Sequence, residues 1–171
     1  MKFIKPSILI LFVFNFSLTL LAQEDFSRLV IVANEKASSG DYYGALDDYN
    51  KIIIEYPNYS VVYYYRGNVK FRMNNFKEAI LDYNRAVSLD STKEEIYFYR
   101  GICKMELDDF KGALEDLNSV ISLDPLFGDA YVKRGEVRIE LNQKDLACMD
   151  FKKGLDLGED KAKASIQMFC K

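Results

Sequence analysis

Apolar residues in this chain return at three- and four-residue steps, and the whole pattern then returns every 34 residues without an insertion or deletion. Over 60–93, Val62, Tyr63, Arg66, Gly67, Lys70 and Phe71 fall on helical steps and predict a helix over about 60–73. Asn74-Asn75 breaks the pattern with a polar pair suited to a tight turn. Phe76, Ala79, Ile80, Tyr83, Ala86 and Val87 resume it, predicting a second helix over about 76–89 that ends at Asp90-Ser91-Thr92. The other units share this layout, with turns at Gly40-Asp41, Asp108-Asp109 and Asn142-Gln143, and Pro57 and Pro125 close two of them. No stretch alternates as a strand does, so the fold class is all-α.

The period is strict. Ala45, Ala79, Ala113 and Ala147 keep it, as do Tyr63, Tyr97 and Tyr131, and Arg66-Gly67, Arg100-Gly101 and Arg134-Gly135. A fixed repeat of this length marks an array of identical supersecondary units, which present surface to other macromolecules. Glycine inside a helix costs about 1 kcal/mol relative to alanine. Its use at Gly67, Gly101 and Gly135, with Ala33 in the first unit, predicts a close helix approach in each hairpin. The repeated alanines would supply the other side of that contact. Tyr42, Phe76, Phe110, Tyr49, Tyr83, Leu117 and Phe151 would fill the core around it.

On these residues the chain resembles the tetratricopeptide-repeat family, whose 34-residue hairpin has a bulky residue at place 4, Gly or Ala at 8, Ala at 20, an aromatic at 24 and Pro at 32. Place 4 here is Leu29, Tyr63, Tyr97 and Tyr131. The units are 26–59, 60–93, 94–127 and 128–161. Ser91 stands for proline in the second unit, and Lys144 for the aromatic at place 17 in the fourth. The resemblance implies a right-handed superhelical solenoid of four helix–turn–helix units whose first helices line a concave groove. A capping helix over about 159–170 closes the array. Its Ala162, Ser165, Ile166, Phe169 and Cys170 share one face, with Lys161, Lys163 and Gln167 pointing away.

Carrying the family's groove places over assigns a partner-binding surface to Tyr64, Asn68, Phe71, Phe98, Ile102, Met105, Val132 and Ile139. Aromatics beside a thioether suit a binding hot spot, and Asn68 is placed to bond a peptide backbone. The competing reading packs these side chains between neighbouring first helices. The two-carboxylate clamp of chaperone-binding members does not fit. Its places hold Val30, Asn34, Tyr65, Glu95 and Tyr99, or, one unit later, Tyr64, Asn68, Tyr99, Asp129 and Lys133.

Charge is patterned with the same period. Arg66, Arg100 and Arg134 each precede a second cation by four residues (Lys70, Lys104, Arg138), a repulsive spacing on one helix. Asp48, Asp82, Asp116 and Asp150 recur in step on the second helices, which predicts an internal Arg–Asp ladder. The spacing leaves open which aspartate meets which arginine. The alternative is a basic stripe for an anionic ligand, which the matched acids oppose.

At the N-terminus, Lys2 and Lys5 precede the largely apolar run Ile8–Leu21, and Ala22 leads into Gln23-Glu24-Asp25. This predicts a signal peptide over 1–22, cleaved after Ala22, and a secreted or periplasmic domain over 23–171. The run is shorter than the roughly 20 residues of a spanning helix; the other reading keeps it as an N-terminal anchor, the single route to a membrane. Export removes two of the 23 basic residues, so 21 face 26 acidic ones. An acidic chain without a basic tail argues against nucleic acid. Cys148 and Cys170 lie ten and twelve residues on either side of the turn at Gly158, which places them at nearly equal height in an antiparallel hairpin. That predicts a disulfide; the other reading is two buried thiols. Cys103 sits mid-helix as an inert core thiol.

There is no histidine, and no nucleophile–base pair, metal-ligand cluster or phosphate-cradling loop, so no catalytic residue, metal or cofactor is expected. The function expected is a non-enzymatic interaction scaffold of the cell envelope that binds a peptide segment or partner protein in its groove. The alternative is a small-ligand carrier for a lipid or cell-wall fragment.

Overall fold

The computed structural model describes residues 25–170, and the leader expected over 1–22 lies outside them. The described residues fall into two compact units that divide between Pro57 and Asn58. The first contains α1 (25–39) and α2 (Tyr42–Glu55). The second contains α3 (Ser60–Arg72), α4 (Phe76–Leu89), α5 (Glu94–Met105), α6 (Phe110–Leu123), α7 (Gly128–Glu140), α8 (Lys144–Asp156) and α9 (Ala162–Phe169). Among the described residues helices are the only regular elements. Within the second unit each helix packs on the next, and α3 also meets α5, and α5 meets α7. The first helices thus lie side by side. This is the helical-hairpin solenoid that the period predicts.

One backbone feature makes every hairpin. The first helix ends on a left-handed residue at place 15: Gly40 at φ 89°, Asn74 at 59°, Asp108 at 60° and Asn142 at 58°. Glycine, asparagine and aspartate tolerate that region best. The next N–H then reaches five residues back, as in Asn75 to the Lys70 carbonyl and Asp109 to the Lys104 carbonyl, both 2.9 Å. Asp41 and Asp109 also cap α2 and α6 by accepting from the Gly44 and Gly112 amides. Where the second repeat lacks its proline, Asp90 holds the turn instead, accepting from the Thr92 amide (2.9 Å) and hydroxyl (2.6 Å). These bonds hold the Asp90 carboxyl below its ordinary pKa.

The close approach within each hairpin is real, but its other side is mainly the place-24 residue and not the alanine. A Cβ on Gly67 would stand 2.8 Å from the Tyr83 ring, and one on Gly135 2.5 Å from Phe151. Gly101 faces Leu117, whose thinner side chain leaves 3.6 Å. The alanines Ala45, Ala79, Ala113 and Ala147 are fully buried beside these contacts.

The array closes as the apolar face of its last helix requires. Ala162 is buried, and Ile166, Phe169 and Cys170 pack on Val132, Ala147 and Phe151. Lys161, Lys163 and Gln167 are exposed. A helix of eight residues has little stability of its own. The Cys148–Cys170 disulfide, with Cα atoms 5.6 Å apart, ties it to α8, and Lys161 reaches back to Asp129 of α7.

Candidate functional site: the first-helix face of the second unit

The charged ladder is structural and lies inside each repeat. Arg66 grips Asp82, Arg100 grips Asp116 and Arg134 grips Asp150, each through Nε and an outer nitrogen at 2.5–2.9 Å. The second cation four residues on closes a triad: Lys70 at 2.6 Å, Lys104 at 2.8 Å, Arg138 at 2.6 Å. The aspartates are buried, so the paired cations offset a desolvation that neither charge could bear alone. The first unit departs from this, because Val32 occupies the arginine's place. Asp48 is met by Lys36 at 2.5 Å and Lys51 at 3.8 Å, both more exposed.

Two features of the ladder escaped sequence reading. Arg100 and Arg134 also donate to Asn84 and Asn118 of the preceding repeat (2.9 and 2.8 Å), stitching neighbouring hairpins together. The 34-residue step between these asparagines was the available signal. In the last triad Arg138 replaces lysine and its Nε is buried without a hydrogen-bond partner. Burial pulls its pKa down, against the pull of Asp150.

The predicted partner-binding residues separate into two groups. Tyr64, Asn68, Phe71, Ile102, Met105 and Ile139 are half-buried. Phe98 and Val132 are not surface at all, at 6% and 1% exposed, and belong to the core. The residue closing each unit explains the first case. Phe127 packs on Phe98, with centroids 4.9 Å apart and the rings tilted by 45°. Lys93, 34 residues earlier, leaves the equivalent Tyr64 beside a cleft of about 310 Å³ lined by Ser60, Val61, Tyr65, Asp90, Glu95 and Ile96 as well. Val132 is covered because Gly154 lets its methyl approach α8 and α9 packs over it.

Asn68 is likewise committed. It accepts from the Tyr83 hydroxyl at 2.7 Å and bonds the Tyr64 phenol, so it braces the aromatic floor. Burial raises the Tyr64 pKa, and that bond partly opposes the rise. Tyr99, which sequence reasoning passed over, is the hub. Its ring lies 6.1 Å from Tyr64, 5.7 Å from Phe71, 6.5 Å from Tyr83 and 5.7 Å from Phe98, joining α3 to α5. Its 34-residue step from Tyr65 was the sign. Toward the far ends of α5 and α7, Met105 and Phe110 floor a second cleft of about 490 Å³, edged by Glu106, Asp108, Glu136 and Glu140.

Among the described residues no group of three or more His, Cys, Asp or Glu is arranged to hold a metal, and no helix is long and apolar enough to cross a membrane. Burial pushes the Cys103 thiol up to about 12, away from reactive thiolate.

Stacked 34-residue hairpins joined by an invariant turn, with first helices aligned on one face, define a helical-repeat interaction scaffold. The family model described as tetratricopeptide repeat matches residues 60–93, one hairpin of the array, and hairpins of the same build precede and follow it. No curated protein matches the sequence. Among solved structures, a MamA protein superposes with a TM-score of 0.75 at 25% identity, over 79% of this chain and 74% of that one. The Arabidopsis OM64 tetratricopeptide-repeat domain gives 0.63 at 26% identity, over 64% and 93%. The first such domain of Spaghetti (RPAP3), bound to the HSP90 peptide SRMEEVD, shares the fold at 0.63 and 24% identity, over 65% and 90%. Domains of this family bind protein or peptide partners.

Proposed function

We propose that the protein is a non-catalytic scaffold of the cell envelope that holds a peptide segment or partner protein against the face made by α3, α5 and α7. The observation that carries this is the half-buried aromatic shelf of Tyr64, Tyr65, Phe71 and Tyr99 beside an open cleft. Rings already packed on one another lose little freedom when covered, and their large faces suit interface anchors. The ladder leaves this face free for binding, because its cations are spent on buried aspartates. The RPAP3 domain, which shares the fold, is bound to the HSP90 peptide SRMEEVD, and this supports a peptide-sized occupant here. Export is supported by the leader pattern over 1–22 and by a disulfide, which suits an oxidising compartment. Open clefts favour a protein segment over an enclosed lipid or cell-wall fragment.

The test is affinity purification from an envelope fraction with quantitative mass spectrometry. Tyr64→Ala and Tyr65→Ala should lose the partner that wild type retains, and Leu81→Ala, on an exposed outer position, should keep it. Equal recovery by all three variants would remove the first-helix face from the account.

A further inference from the structure

The first-helix face is apolar along its floor but charged with one sign at its α5–α7 end. Glu106, Asp108 and Glu140 are exposed at the rim of the cleft floored by Met105 and Phe110. No salt bridge among the described residues engages these three. The cations of α5 and α7 nearest this rim have other partners: Lys104 and Arg138 are bound to Asp116 and Asp150, and Lys133 to Glu136 at 2.8 Å. Lys111, beside Phe110 in the chain, is exposed and is not part of the cleft lining. The fold thus neutralises its buried acids and leaves these rim acids uncompensated around an apolar floor. An acidic partner would meet like charge here, including a segment resembling the acidic peptide SRMEEVD that the RPAP3 domain holds.

From this charge complementarity we infer that the partner segment is cationic. Resting on the function proposed above, the occupant is an extended chain that places an apolar side chain on Met105 and Phe110. Lysines or arginines flanking that anchor face Glu106, Asp108 and Glu140. The acids set on-rate and discrimination, and the apolar floor supplies most of the contact area.

Fluorescence anisotropy on the purified full chain tests it. The probes are three labelled twelve-residue peptides alternating leucine with lysine, with glutamine or with glutamate. The lysine peptide should bind, weakening as salt rises, and the other two should bind at least about fivefold more weakly, the scale of two exposed ion pairs. Glu106→Gln with Glu140→Gln should weaken the lysine peptide to a similar degree. Glu78→Gln with Glu115→Gln, which removes the same charge from exposed outer positions, should leave binding unchanged. Equal binding of the glutamine peptide, or equal loss in both double variants, would overturn the inference, the second result exposing a mere net-charge effect. If Tyr64→Ala and Tyr65→Ala abolish native partner recovery while Glu106→Gln with Glu140→Gln changes nothing, the charge inference fails and the binding face stands.

Discussion

Replacing Asp116 by asparagine isolates what holds each hairpin together, because shape is kept and one charge is lost. Asp116 is 3% exposed, and it accepts from Arg100 at 2.9 and 2.6 Å and pairs with Lys104 at 2.8 Å. The two cation side chains are themselves only 14% and 18% exposed, so the neutral amide would strand two poorly hydrated charges. Breaking a buried pair from one side costs about 3–5 kcal/mol. The residual exposure of the cations places Asp116→Asn at about 3 kcal/mol, near the lower end. Asp48→Asn is the internal comparison at the same repeat position. Its lysines are 39% and 67% exposed, and the loss should be about 0.2–1 kcal/mol.

Urea unfolding followed by circular dichroism reads both variants, with a check that the slope is unchanged so that midpoints compare. Arg100→Met with Asp116→Asn and Lys104→Met should regain part of the loss, since no charge is then left stranded. Equal, small losses at Asp116 and Asp48 would refute the reasoning, showing the inner ladder to be as solvated as a surface pair.

Further outcomes follow from the same contacts. Gly101→Ala should be neutral or stabilising by up to about 1 kcal/mol, because its added Cβ meets nothing closer than 3.4 Å. Gly67→Ala and Gly135→Ala should destabilise, since overpacking against the fully buried Tyr83 and Phe151 rings costs about 1–3 kcal/mol; urea midpoints give the order. Reducing Cys148–Cys170 should cost about 3 kcal/mol in the chain-entropy picture and speed amide exchange in α9 well before α3–α6; uniform exchange would show that the bond does not hold the cap. Folded Cys103 has its pKa raised to about 12. The folded state therefore keeps its proton where the unfolded thiol, near 9, has lost it. Stability should fall between pH 9 and 12 by up to roughly 1.4 kcal/mol per unit for this group, and Cys103→Ala should flatten that slope.

Fold and ladder were legible because both are periodic: a 34-residue step cannot place Arg66, Arg100 and Arg134 alike without giving them like surroundings. The disulfide was legible because a helical hairpin fixes relative height. The binding face was only partly so, since its environment depends on residues that break the period. Lys93 and Phe127 occupy one repeat position, yet one borders a cleft beside Tyr64 and the other buries Phe98. Gly154 and α9 do the same to Val132. Asn68 looked available because Tyr83, whose hydroxyl it accepts from, lies on the second helix of the hairpin and only folding brings it there.

The central claim is that the aligned first helices form the surface that contacts a partner. Photo-crosslinking in intact cells, with the reactive residue placed at Tyr64, Tyr65 or Met105 and, as the opposite face, at Leu81 or Glu115, tests it most directly. The account predicts one shared adduct from the first three positions and none from the last two. Adducts from the outer positions alone, or indifferently from both faces, would contradict it.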